Sequence, residues 1–246
     1  MTMNDRFGDV LAALGLLTRL PVPGAPMRGA SAAWAWPVAG AVVGALTALV
    51  GTLALWAGLP AGVAAALLLG TQAMLTGAMH EDGLADTADG LWGGWDKARR
   101  LEIMKDSHIG SYGVVALLVV GLARWSALVA VLAAGAQWPV LVAVGALSRV
   151  PMAVLMATMA NARGAGLSQA VGRPSGGVAL AAAAVGLSIA MALTGSTALG
   201  MAALAALICA GLAGVAQARI GGQTGDILGA SQQLAETAAL AVAAGQ

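Results

Sequence analysis

Seven of the eleven acidic residues lie between Glu81 and Asp106, and the densest stretch reads His80-Glu81-Asp82-Gly83-Leu84-Ala85-Asp86-Thr87-Ala88-Asp89-Gly90. Asp82, Asp86 and Asp89 are spaced i, i+4, i+7, so a helix sets all three carboxylates on one face. Like charges at that spacing repel by a few tenths of a kcal/mol even when solvated, and by more near lipid. A bound cation relieves the repulsion. Oxygen donors with no cysteine nearby suit a hard ion, Mg²⁺ or Mn²⁺. Gly83 and Gly90 leave room for backbone or phosphate to come close. A solvated loop with scattered acids is the competing reading. The 4/3 spacing, set against so few acids elsewhere, weighs against it. His80 reads first as a polar cap on the preceding apolar run and second as a ligand. Trp92 and Trp95 serve equally well as stacking partners for a substrate ring or as interfacial anchors.

Other polar motifs extend the chemistry. Lys105-Asp106-Ser107-His108-Ile109-Gly110-Ser111-Tyr112-Gly113 sets a cation, small hydroxyls and glycines just before an apolar run. That suits a phosphate cradle at a helix start, with ordinary capping as the alternative. Gly221-Gly222-Gln223-Thr224-Gly225-Asp226 is also glycine-rich and brings the only acid between Asp106 and Glu236. Arg163 opens Arg163-Gly164-Ala165-Gly166-Leu167. Arg124 and Arg149 fall inside apolar runs, where an unpaired charge costs about 2.5–3.5 kcal/mol on insertion scales. They are expected to share a polar cavity open to the cytoplasm; pairing within the protein is the alternative. Taken alone, these residues describe a metal-dependent site for a phosphorylated substrate beside a membrane. Phosphoryl transfer fits, because its catalysis is largely positioning and charge neutralisation. No Ser/His/Asp or Cys/His set with interpretable spacing competes.

The elements that must hold these groups are membrane helices. Of 246 residues, 59% are hydrophobic and only 9% charged, and the mean hydropathy is +0.86. A soluble domain carries about 25% charged residues, so an ordinary cytosolic enzyme, a disordered chain and a disulfide scaffold are all excluded. Twelve Lys+Arg against eleven Asp+Glu leave +1, which advertises no nucleic-acid partner. The single cysteine, Cys209, lies in an apolar run. Residues 29–79 and 174–218 contain no charged residue at all. Spans are expected near 33–57, 60–79, 113–133, 137–160, 178–194 and 197–217, with 227–244 a weaker seventh that carries Glu236. Ala and Leu without period-2 alternation favour helix over strand. Trp34, Trp36, Trp56 and Trp138 fall at span ends, where amphipathic rings meet headgroups. Gly40 and Gly44 form a small-xxx-small pair that permits close helix contact. Val10–Leu17 resembles the core of a signal peptide, but Asp5 beside Arg6 and a poor cleavage site favour an attached interfacial or re-entrant helix.

Lys/Arg bias orients the chain. Arg6, Arg19 and Arg28 precede the first span. Lys97, Arg99, Arg100 and Lys105 lie in a loop over 80–112, Arg163 and Arg173 in a loop over 161–177, and Arg219 beside the turn at 218–226. Alternate threading puts all four groups on one side, the cytoplasmic one. The expectation is one integral membrane domain over 1–246, an all-α polytopic bundle of six or seven spans with an N-terminal interfacial or re-entrant helix.

Thr18-Arg19-Leu20-Pro21-Val22-Pro23, His80 to Gly90, Asp106-Ser107 with Gly110 and Gly113, Ser148-Arg149, and Gly221 to Gly229 together resemble the cobalamin synthase family, the adenosylcobinamide-GDP ribazoletransferases. The resemblance runs in order from about 18 to 230. It implies an integral enzyme of the bacterial cytoplasmic membrane with its active site facing the cytoplasm. The implied reaction joins adenosylcobinamide-GDP, a corrinoid nucleotide, to α-ribazole or its 5′-phosphate with Mg²⁺ and releases GMP. It also implies that Asp82, Asp86 and Asp89 form the catalytic and metal-holding set. Lys105, Asp106, Ser107, Arg149, Arg163, Gln223 and Asp226 then become the candidate substrate and phosphate contacts. Glu81 stands where relatives are expected to be apolar and receives no role. A homo-oligomer is compatible with all of this. The alternatives are a CDP-alcohol phosphotransferase-like enzyme, whose motif expects Ala-Arg where Ala85-Asp86 stands, and a membrane transporter, whose acids belong at the midplane rather than at one face.

Overall fold

The computed structural model describes residues 3–23 and 28–246, and among these it holds eleven α-helices, one 3-10 segment and no β-strand. The N-terminal helix α1 (Met3–Leu17) is tied down by its acids. Asp9, fully buried, accepts a hydrogen bond from the Trp34 indole at 2.9 Å and lies 3.1 Å from the Arg28 guanidinium, which also pairs with Asp5 at 3.0 Å. A 3-10 segment, Gly29–Ala35, then leads into α2 (Trp36–Trp56).

Each of the seven apolar segments is a helix: α2, α3 (Ala61–Thr76), α6 (Ser111–Ala133), α7 (Gln137–Thr158), α9 (Gly176–Thr194), α10 (Thr197–Ile220) and α11 (Gly225–Ala244). Among the described residues, five helices are long and apolar enough to cross a membrane. A sixth span exists if α3 and the following α4 (Met79–Gly93) count as one broken segment. Helix α7 is the axis, with 78% of its apolar window buried, whereas only 17% of α6's is. The α6 residues Val115, Leu118, Val119 and Leu122 stay exposed, a belt that matches hydrocarbon and not water.

Helices α2 and α7 meet through glycine. A Cβ on Gly40 would sit 2.0 Å from the Gly145 carbonyl oxygen, and one on Gly44 would sit 2.1 Å from that of Leu141. The small-xxx-small pair therefore does allow backbone-to-backbone packing.

The 80–112 segment, expected as a polar connection with a helical aspartate stripe, is mostly helix. It holds α4 and the short α5 (Lys97–Ile103), and the chain bends by 92° between α3 and α4. Gly77 (φ +67°) and Ala78 (φ +55°) make that bend in the left-handed region, and Ala78 is the one non-glycine at positive φ among the described residues. Acidic residues on one face of α4 hide an apolar face on which Leu84 and Leu91 are buried. Helix α4 thus leaves the line of α3 and packs along α11 and α6, its start reaching Arg124 of α6 through Glu81 at 3.7 Å and its end meeting the start of α6 through Asp89; it is not one of the five spanning helices. A five-residue helix α8 (Leu167–Val171) likewise interrupts the expected 161–177 loop.

Helix α11 explains why its segment looked weak as a span. It packs against α4, α6, α7 and α10, so Ser231, Gln232, Gln233 and Glu236 are buried in protein and never meet lipid. At the α4 end of the bundle the charged segments converge. Arg100 donates to the Arg219 carbonyl at 3.1 Å and Arg163 to that of Met104 at 3.4 Å. The four basic groups were expected on one side, and three of them are in direct contact there.

Candidate active site

Helix α4 carries Asp82 and Asp86 into the same end of the bundle because its other face is anchored on α11. Gly83 makes that anchoring close: a Cβ there would sit 2.9 Å from the Asp226 carbonyl oxygen and 3.1 Å from the Gly229 Cα. The α4 stripe and the start of α11 are therefore held against each other by backbone packing, and Asp226 faces the stripe across that seam.

The Gly221–Asp226 motif is positioned by a two-sided backbone ladder. Gln223 N–H donates to the Ala160 carbonyl and Ala162 N–H to the Gln223 carbonyl, each at 2.8 Å. Gly222 is required there, since a Cβ would meet the Ala160 oxygen at 2.1 Å. This bridge brings the 161–166 loop beside α11, and Arg163 pairs with Asp226 at 2.7 Å. Asn161 shapes the loop by accepting from the N–H groups of Arg163 (3.0 Å) and Gly164 (2.7 Å). Thr224, and not Asp226, caps α11: its hydroxyl oxygen accepts from Ile227 N–H at 3.3 Å, and the hydroxyl donates to Asp226 at 3.2 Å. The Asp226 side chain is thus left facing Arg163 and the stripe.

Two concave surfaces meet at Asp82. One is a polar cleft of ≈ 490 Å³ lined by Glu81, Asp82, Asp86, Lys105, Asp106 and Ser107, among others. The other is a smaller, mainly apolar chamber of ≈ 160 Å³ with Asp82, Asp226, Arg163 and His80 in its lining. In the cleft, burial first, and then the charges of Asp82 and Asp226, push the Asp86 carboxyl up to about 7. Asp106 is exposed. The His108 ring and backbone N–H hydrogen-bond to it at 2.7 and 3.1 Å and hold its carboxyl below its ordinary value.

Asp89 sits differently from its two neighbours on the stripe. It is 7% exposed, and its two oxygens accept from the N–H groups of Gly110 (2.7 Å) and Gly113 (2.9 Å) at the start of α6. A Cβ on either glycine would collide with that carboxylate, at 2.4 Å in both cases. The expected phosphate cradle at this helix start is therefore filled from within by Asp89. Lys105, Asp106 and Ser107 remain on the cleft wall.

Arg149 and Gln223 are buried and line neither surface. The shared open cavity expected for Arg124 and Arg149 gives way to pairing inside the bundle. Arg124 meets Glu236 at 2.7 Å and Gln72 at 2.6 Å, and hydrogen-bonds Gln233 as well. Arg149 reaches the other Glu236 oxygen at 3.3 Å and Ser148 at 2.8 Å. Glu81 joins this network through Gln233 at 3.1 Å. The sequence reading missed Glu81, Gln72, Gln232, Gln233 and Glu236 as partners. The only signal for them was two arginines in apolar runs that required neutralisation. Trp92 stacks on Arg219, 5.1 Å from guanidinium carbon to ring centre, which covers one face of a ring that stays about half exposed.

Among the described residues, no three His, Cys, Asp or Glu side chains converge closely enough to hold a metal ion by themselves. Asp82 and Asp86, one turn apart and facing Asp226, offer oxygen donors beside an open cleft. Mg²⁺ characteristically takes one or two carboxylates and completes its shell with water and substrate phosphates. This donor set fits an ion shared with a phosphorylated ligand.

Comparison with known proteins agrees with the motifs. The family model described as cobalamin-5-phosphate synthase matches residues 9–244. An adenosylcobinamide-GDP ribazoletransferase of Bradyrhizobium diazoefficiens is 44% identical, covering 99% of this chain and 95% of its own. Enzymes of the same name from Mesorhizobium japonicum and Azorhizobium caulinodans are 41% and 45% identical, covering 99% and 94% of this chain and 96% and 93% of their own. No solved structure matches. With the family model spanning nearly the whole chain and relatives this close over their full lengths, the chain belongs to the cobalamin-5-phosphate synthase family.

Proposed function

We propose that this protein transfers the cobinamide phosphate of adenosylcobinamide-GDP to α-ribazole or α-ribazole 5′-phosphate and releases GMP, as a late step of cobalamin biosynthesis at the cytoplasmic face of a bacterial inner membrane. The observation that carries this reading is that Asp82 belongs to both concave surfaces, as a group acting between two substrates must. A ribose hydroxyl oxygen attacks the phosphorus on the cobinamide side of the diphosphate. A new P–O ester bond forms, the bridging P–O bond breaks, its electron pair leaves with GMP, and the hydroxyl proton passes to solvent.

Asp82 and Asp86 are the residues suited to hold Mg²⁺ with the diphosphate. When bound, Mg²⁺ supplies neutralisation of the phosphoryl and leaving oxygens. Lys105 supplies positive charge from the cleft wall, and Arg163, oriented by Asp226, supplies it from the chamber side. Asp89 supports the site indirectly by fixing the start of α6 beside Lys105–Ser107. The buried Arg124–Glu236–Arg149 network favours an enzyme over a transporter, since those intramembrane charges satisfy one another.

The test is direct. Purified protein in lipid nanodiscs, given adenosylcobinamide-GDP, α-ribazole and Mg²⁺, releases GMP and forms a complete corrinoid in equal amounts, and a chelator stops both. Corrinoid assembly that needs no divalent cation would remove the metal from this account. No GMP release under any condition would remove the reaction.

A further inference from the structure

The chamber behind α4 has a lining unlike that of the cleft. Leu16 and Leu17 of α1, Trp36 of α2, Met152 and Met156 of α7 and Leu228 of α11 give it apolar walls. Its charged groups, Asp82, Asp226 and Arg163, come from the α4–α11 seam and the adjoining loop. It shares Leu16, Trp36, Leu167 and Val171 with a second cavity against α1 and α8, so the apolar surface continues beyond it. His80 is also in its lining. That residue is 1% exposed, and its ring Nε2 has no hydrogen-bond partner. A buried nitrogen without a partner is costly unless a ligand supplies one. An apolar chamber with an aromatic wall, one unused imidazole nitrogen and an acid–base pair suits a flat heteroaromatic base joined to a ribose. It does not suit a diphosphate, whose charge the walls cannot solvate.

We propose that this chamber seats the aromatic base of the acceptor nucleoside, while the Lys105–Ser107 cleft takes the nucleotide diphosphate of the donor, so that the two substrates meet at Asp82. The inference rests on the transfer reaction proposed above. His80 then hydrogen-bonds a ring nitrogen or ribose hydroxyl of the acceptor, and Met152, Met156 and Trp36 pack on the ring.

Two substitutions at exposed lining positions test this without disturbing the core. Ala165→Trp adds bulk to the chamber, and Leu167→Ser removes part of its apolar wall. In nanodisc-reconstituted full-length protein, each is expected to raise KM for α-ribazole about ten-fold or more, as changes of a few carbons in an apolar pocket do. KM for adenosylcobinamide-GDP stays unchanged. Equilibrium dialysis with α-ribazole and with GMP as separate probes should show the same split. Lys105→Ala should do the reverse, weakening GMP and sparing α-ribazole. If both chamber variants keep the wild-type KM for α-ribazole, or shift only the donor's KM, the assignment is overturned while the reaction stands. Wild-type protein that releases no GMP would instead overturn the reaction itself, and the two failures are distinguishable.

Discussion

At the residue scale, the three stripe aspartates divide by what their oxygens touch. Asp82 and Asp86 face the clefts, and both oxygens of Asp89 are committed to the start of α6. Asp82→Asn and Asp86→Asn are expected to lose most turnover at an unchanged thermal-inactivation midpoint. Asp89→Asn replaces one accepting oxygen with an amide that cannot accept. It should therefore destabilise the protein by about 1–3 kcal/mol, seen as a lower midpoint. Equal midpoints for all three would contradict this division. Asp226→Ser makes a companion test. Since Thr224 already caps α11, the substitution should lower the midpoint only through the lost Arg163 pair and should reduce turnover strongly, because Arg163 loses the 2.7 Å partner that aims it. Turnover and Mg²⁺ dependence both like wild type would return Asp226 to a purely structural role. The stripe was legible from its spacing, which a helix converts directly into a shared face. The separate duty of Asp89 was not, because it depends on residues 21 and 24 positions further along.

At the element scale, the site depends on how closely helices approach. Gly40 and Gly145 set α2 on α7, and Gly83 sets α4 on α11. Gly40→Ala puts a methyl 2.0 Å from a carbonyl oxygen, a contact no rotamer change relieves. The helices must separate, at a cost of about 1–3 kcal/mol or more. The midpoint should fall, whereas Gly121→Ala, with nothing within 4 Å of the added carbon, should leave it unchanged or slightly raised. Identical behaviour of the two variants would show that close α2–α7 packing is not required. Gly40 and Gly44 could be read from sequence because small residues four apart share a helix face. The partner helix could not. Nor could the full extent of the helix over 79–93, where acids mask the apolar face, or the 92° turn of the chain at Gly77-Ala78.

At the scale of the whole molecule, the charged segments gather at one end, and the proposal that this end faces the cytoplasm follows from the Lys/Arg bias. Cys209 is 3% exposed, so Lys97→Cys in a Cys209→Ala background gives a single reactive thiol. An impermeant thiol reagent should label it in inverted membrane vesicles and leave it unlabelled in intact cells; labelling in intact cells would reverse the orientation. Composition, charge-free runs and motif spacing were enough to determine a polytopic helical membrane protein, the segment borders and the family. These are properties of the chain's local pattern, and lipid enforces them wherever the helices pack. Only the tertiary structure decided which polar groups face which. Arg124 and Arg149 had to be neutralised, but the choice of Glu236 belongs to the packing of α6, α7 and α11. Arg163 meets Asp226 because a backbone bridge joins 160–162 to Gln223, about 60 residues apart. Pairing over such separations depends on the relative placement of helices, which side-chain volumes and glycine contacts settle and linear spacing does not encode.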